Sequence, residues 1–92
     1  MITGFRDAGT EALFHGRRVR RWINIERAAL RKLEQLDLAI RIEDMRAPPG
    51  NRLEKLHGTR EGQWSVRVND QWRVCFKFER GNALDVEIVD YH

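Results

Sequence analysis

Apolar residues recur at two different periods along this 92-residue chain, and the change of period falls at Pro48-Pro49-Gly50. Ahead of the prolines, Trp22, Ile25, Ala29, Leu33, Leu36 and Ile40 follow one another at spacings of three and four. That repeat puts them on one stripe of a helix and predicts helix over residues 17–40. Ile40, Ile42 and Met45 suit a further short helical turn, which the two prolines and the glycine end. Near the start, residues 2–5 are an apolar-rich stretch suited to an edge strand.

After the prolines the period is two. Trp64, Val66 and Val68 alternate with polar residues, and so do Trp72, Val74, Phe76 and Phe78, then Leu84, Val86 and Ile88. Three half-buried strands with tight turns predict an antiparallel meander. A three-residue connection over residues 69–71 pairs Val66 with Val74 and Arg67 with Arg73, which keeps apolar and polar faces separate. The same reasoning at Arg80-Gly81-Asn82 pairs Phe78 with Leu84, Lys77 with Asp85 and Val74 with Ile88, and sets Gln71 opposite Tyr91. Arg67, Arg73 and Tyr91 then share the face away from the helices. Helices first and strands after predict an α+β fold, with the N-terminal helices on one face of a small, mainly antiparallel sheet. At this length residues 1–92 make one domain.

Charge adds a direction to that fold. The net charge is +3 and the sequence pI near 9.6, so an anionic partner is favoured over a cationic one. Arg17, Arg18, Arg20, Arg21, Arg27, Arg31 and Lys32 are concentrated at the head of the predicted helix. Three roles stay open for this stretch: a hold on nucleic-acid phosphates, a solvated helix face, or a protein-binding surface. No run of about 20 apolar residues suggests a membrane span, and the N-terminus lacks a secretory h-region. Cys75, alone and within a strand, fits a reducing cytoplasm.

The last strand ends on Asp90, Tyr91 and His92, with Arg73 on its neighbour and Arg60 in a glycine-containing loop. Cations, an imidazole, a phenol and a carboxylate held together suit cleavage of a phosphodiester. Two arginines directly opposite each other on adjacent strands repel, and Arg67 facing Arg73 implies an anion between them.

Leu56-His57-Gly58-Thr59-Arg60-Glu61-Gly62-Gln63-Trp64-Ser65-Val66, Asn69-Asp70-Gln71-Trp72-Arg73-Val74 and the closing Asp90-Tyr91-His92 together resemble the HigB group of the RelE/ParE toxin superfamily. The likeness runs over residues 2–92. It implies a RelE-like fold and a type II toxin, a ribosome-dependent endoribonuclease that cuts mRNA in the decoding site. It also implies neutralisation by a helix-turn-helix, HigA-like antitoxin, with operator DNA reached only through that antitoxin. Tyr91 and His92, beside Asp90, match the family's C-terminal active-site pair, and Arg73 and Arg60 match basic cleft positions. The chain departs from the pattern at Glu54, where many relatives carry histidine, and at His57, where they carry lysine.

RNA cleavage by its own 2′-hydroxyl needs a base, cations for the phosphate charge and an acid for the leaving 5′-oxygen, and neither metal nor other cofactor. His92 is expected as principal acid/base group, with His57 or Glu54 as the second. Arg73 and Arg60, with Arg67, are expected to grip phosphate as planar forks. Tyr91 is expected to stack on a base or hydrogen-bond the scissile phosphate. Trp22, Trp64 and Trp72 fall on the apolar phase and belong to the core. His15 receives no role, and Cys75 has no histidine partner to make it a nucleophile. The rival expectation is a non-catalytic toxin of the same fold, either a ParE-like gyrase inhibitor or a degenerate toxin that only binds its antitoxin.

Overall fold

A computed structural model describes residues 1–91. Its elements are α1 (Ala8–Phe14), α2 (Glu26–Leu38), β1 (Glu54–Lys55), β2 (Trp64–Arg67), β3 (Trp72–Glu79) and β4 (Asn82–Asp90), with short 3₁₀ turns between them. The strands form one antiparallel sheet in the order β1-β2-β3-β4. The segment before α1 runs parallel to β4 through single bridges, Ile2 with Ala83 and Phe5 with Val86. The α+β arrangement expected from the change of period is therefore the one observed.

The helical region differs from expectation in two ways. Helix predicted over residues 17–40 forms only from Glu26 to Leu38. A helix through residues 17–21 would put Arg17 against Arg20 and Arg18 against Arg21, like-charge pairs one turn apart, and Val19, Ile23 and Ile25 are β-branched. The chain there makes a 3₁₀ turn, Arg20–Trp22, instead. Trp22 still reaches the core, where its ring meets Trp72 edge-on at 6.2 Å. Ile40 leaves the stripe, because the chain turns extended at Ala39 (ψ 134°), and it ends 76% exposed. The second difference is α1. Asp7 caps it by accepting from the Thr10 N–H at 3.0 Å and the Thr10 hydroxyl at 2.6 Å. Seven residues are too few to show a helical period, so the cap was its one legible signal.

The first hairpin keeps the expected register, with Val66 opposite Val74 and Arg67 opposite Arg73. The second turns more tightly than expected. Arg80 and Gly81 both have positive φ, 52° and 80°, which suits a two-residue turn and pairs Phe78 with Ala83 and Lys77 with Leu84. Ala83 rather than Leu84 is consequently buried. The extra residue is taken up by a bulge at Asp85 (φ 51°), after which Val74 meets Ile88 as predicted. Beyond the bulge every β4 residue is back in the predicted phase. One sheet face, with Val66, Val74, Phe76, Val86 and Ile88, packs on Leu13, Ala29, Leu33 and Leu36 of the helices.

Candidate functional site

The far face of the sheet carries the polar phase, and it is better covered than a solvated face would be. Ser65 and Cys75 are fully buried, and Arg73 is 7% exposed. Strand alternation puts Ser65 and Arg67 of β2, Arg73 and Cys75 of β3, and Glu87 and Val89 of β4 on this side. Tyr91, one step past β4, continues it, and its N–H donates to the Gln71 carbonyl at 2.7 Å. Gln71 and Tyr91 are thus neighbours, as the register implied.

Arg73 is the best-held side chain of the group. Its Nε donates to Ser65 Oγ at 2.9 Å and its Nη2 to the Arg52 carbonyl at 2.7 Å. Arg52 presents that carbonyl from a left-handed backbone (φ 45°, ψ 57°) at the end of the Pro49–Asn51 turn. Glu54 on β1 lies 3.8 Å from the guanidinium, and the Tyr91 ring centroid lies 5.3 Å from its central carbon. Each arginine of the opposed pair has acceptors from the chain itself: Arg67 pairs with Asp70, and Arg73 donates to a hydroxyl and a carbonyl with the Glu54 carboxylate nearby.

Arg60 ends the Gly58–Arg60 turn and reaches back over the sheet. Its Nη1 donates to Glu87 Oε2 at 2.9 Å and to Gln63 Oε1 at 3.1 Å. The bond to Glu87 raises the guanidinium's pKa above the ordinary arginine value. Arg6 approaches the same carboxylate at 3.6 Å. Arg6, Thr59, Arg60, Gln63 and Glu87 line a polar pocket of about 300 Å³. Cys75 lies beneath, opposite Glu87, and burial pushes its thiol pKa up. That suits an inert thiol rather than a nucleophile.

The other expected residues separate. Glu54 joins the Arg73 side of the cluster. His57 precedes the Gly58–Arg60 turn with an exposed side chain that makes no hydrogen bond among the described residues. Asp90 is paired with Trp72 across the strands, so alternation gives it the phase opposite to Tyr91, and its carboxylate accepts from Gln71 Nε2 at 3.0 Å. His92 lies outside the described residues.

Sequence reasoning missed Glu87 and the Arg52 carbonyl, two of the acceptors that orient the arginines. Glu87 was legible as a polar-phase residue of β4, but nothing marked its partner 27 positions away. Asn51 was missed as well. Fully buried, it donates to the Met45 carbonyl at 3.0 Å, the Ala47 carbonyl at 3.2 Å and Gln35 Oε1 at 3.1 Å, and it accepts from Lys32. It ties α2 to the turn that aims Arg52. Burial, with Arg31 and Arg67 nearby, lowers the Lys32 pKa.

Residues 3–92 match the family described as the RelE-like toxin of type II toxin-antitoxin system HigB. Toxin HigB-1 of Vibrio cholerae is 42% identical over 87 residues, 92% of each chain. Endoribonuclease HigB of Proteus vulgaris is 36% identical over 64 residues, 66% of this chain and 65% of that one. Among solved structures, the YoeB–YefM toxin–antitoxin complex of Staphylococcus aureus superposes with a TM-score of 0.59 at 16% identity, over 100% of this chain and 95% of that chain. At that identity the superposition speaks for the fold alone.

Proposed function

Because the chain belongs to the HigB-like, RelE-like toxins of type II toxin–antitoxin systems, we propose that it is a ribosome-dependent endoribonuclease that cuts mRNA in the decoding site and is neutralised by a HigA-type antitoxin. Its strongest support within the fold is the buried Arg73 guanidinium, 5.3 Å from the Tyr91 ring, with Arg60 on the same sheet face. These are the cations and the phenol that phosphate transfer would use, immediately before His92.

In this reaction the 2′-oxygen attacks the adjacent phosphorus as its proton passes to a base. The P–O5′ bond breaks, and the departing 5′-oxygen takes a proton from an acid. The products are a 2′,3′-cyclic phosphate and a 5′-hydroxyl, and no metal takes part. His92 serves as principal acid/base group, with Glu54 or His57 as the second. Arg73 and Arg60 stabilise charge on the crowded phosphate, and their prior hydrogen bonds spare the cost of orienting them. Arg67 adds long-range charge at the same face. Tyr91 stacks on a base or donates to the phosphate.

Mapping mRNA 5′ ends after brief expression in a bacterium tests this reading. Cuts inside translated codons, lost in His92→Ala and in Arg73→Ala, are expected. Absence of such cuts from the intact chain would overturn it.

One observation favours the rival, a non-catalytic toxin of the same fold. Arg60, Arg67 and Arg73 each already face a carboxylate of the chain: Glu87, Asp70 and Glu54. A phosphate must compete with those partners. DNA breaks without mRNA cuts in the same experiment would decide for a gyrase inhibitor.

A further inference from the structure

The sheet face that carries Arg73 and Tyr91 holds a second set of hydrogen-bond donors, which the proposed reaction leaves unused. They line the pocket of about 300 Å³ formed by Arg6, Thr59, Arg60, Gln63 and Glu87. Gln63 is the most deeply buried of the five, at 5% exposure. Its Oε1 accepts from Arg60 Nη1 at 3.1 Å, while its Nε2 makes no hydrogen bond among the described residues. A buried amide donor left unpaired is costly, so it calls for an acceptor from outside the chain. Nε2 is not sealed in the interior, a state that among the described residues belongs to the unpaired Trp22 Nε1. It therefore opens toward the pocket that Gln63 lines.

The other donors are only partly spent. Arg60 uses Nη1 on Gln63 and Glu87, and Arg6 meets Glu87 through Nε at 3.6 Å. Their remaining N–H groups and the Thr59 hydroxyl have no partner among the described residues. Glu87 does not reverse the sign of the pocket, because two guanidiniums against one carboxylate leave a net positive charge. Both arginines meet its Oε2, and its side chain is 16% exposed against 56% for Arg6 and 34% for Arg60. Four side chains thus offer N–H or O–H groups to one space. A ligand that is negatively charged and rich in acceptor oxygens satisfies all of them, which is the chemistry of a phosphate group.

We propose that this pocket is a second phosphate subsite, which holds the RNA backbone one or two nucleotides away from the cut. Glu87 and Tyr91 lie on the same face of one extended segment, four residues and so about 13 Å apart. A strand of RNA crossing Arg73 and Tyr91 reaches the pocket with a neighbouring phosphate. Arg6, Gln63 and Thr59 bind that phosphate, and Arg60 forms the wall it shares with the scissile one. The proposal rests on the nuclease reading and adds a grip on the strand away from the bond that breaks. Binding energy gained there goes into placing the 2′-hydroxyl in line with the leaving oxygen.

The test is binding of the toxin to ribosomes programmed with an mRNA whose decoding-site codon is 2′-deoxy, so that no 2′-oxygen can attack. Neutral methylphosphonates replace its phosphates one at a time. Arg6→Ala is expected to weaken binding about 10-fold and to lower the salt slope by about one. Gln63→Glu keeps the shape but sets a second carboxylate at the pocket, and should weaken binding by about 10-fold or more. At one phosphate flanking the cut, the neutral replacement should weaken the wild type about 10-fold and leave Arg6→Ala unchanged. Arg6 is 56% exposed, so the melting temperature of its variant should stay at the wild-type value. Binding of Arg6→Ala within twofold of wild type would overturn the proposal, as would full additivity with every neutral replacement. A toxin that shows the coupling but leaves unmodified mRNA uncut refutes the nuclease reading and leaves the phosphate subsite standing. Cutting without the coupling does the reverse.

Discussion

The Arg73 guanidinium carbon lies 5.3 Å from the centroid of the Tyr91 ring, which couples the most deeply held cation of the sheet to the chain's last aromatic residue. The contact joins β3 to the residue that follows β4. Its precision comes from below, because Ser65 Oγ and the Arg52 carbonyl fix the guanidinium before any substrate arrives.

Arg73→Lys keeps the charge and loses the fork. The hydrogen bonds to Ser65 and Arg52 cannot both be remade by one ammonium, so buried acceptors go unpaired at about 2–3 kcal/mol. Calorimetry should show a melting point lower by roughly 10 °C for a domain of this size. In the proposed reaction, single-turnover cleavage should fall about 10²-fold.

Glu87 is expected to act through Arg60. Freed from Glu87 Oε2 at 2.9 Å, the guanidinium regains rotamers that it must lose again on binding phosphate. Glu87→Gln should lower cleavage about 10-fold, and Arg60→Ala about 10²-fold. Combined with Arg60→Ala, the Glu87 change should add almost nothing, because its effect passes through the missing side chain. Additive losses in that cycle would show that Glu87 works independently.

Thr10 binds α1 to the sheet. Its hydroxyl donates to Asp7 and accepts from the Ile88 N–H at 3.1 Å. Thr10→Val preserves shape but strands a buried N–H, which costs on the order of 2 kcal/mol. Denaturant melts should reveal the loss, and amide exchange at Ile88 should quicken.

Cys75 gives a prediction in pH. Its folded pKa is raised, chiefly by burial, so the fold favours the neutral thiol. The stability this contributes is present below the ordinary thiol pKa and lost as pH climbs through it toward the folded value. Iodoacetamide at pH 8 should label native protein far more slowly than unfolded protein. Cys75→Ala should retain activity, and loss of cleavage would reinstate a thiol role.

Glu87 and Asn51 show where sequence reading stops. The period of two told that Glu87 faced away from the helices, and the first hairpin's register followed from keeping faces clean. Neither could tell that a loop arginine 27 positions earlier would fold onto it. Asn51, after two prolines, reads as a turn residue, yet it is buried and organises α2 and the Arg52 carbonyl. Only a chain closed in three dimensions puts those acceptors around it. At the second hairpin the error was one residue, because Arg80 adopts a positive φ that favours glycine; the bulge at Asp85 then hid the slip by restoring the phase.

By itself, the sequence determined the α+β layering, the meander, the sheet face that meets the helices, and the gathering of arginines near the last strand. Periodicity settles these because alternate burial is a local property of the backbone. Tertiary structure decided where α2 begins, that Arg73 is buried and satisfied by Ser65 and Arg52, that Arg60 is claimed by Glu87, and that Leu38 and Ile40 remain uncovered. Each of these depends on groups distant in sequence competing for one another, and the strongest donors go to the acceptors that the closed fold places within reach.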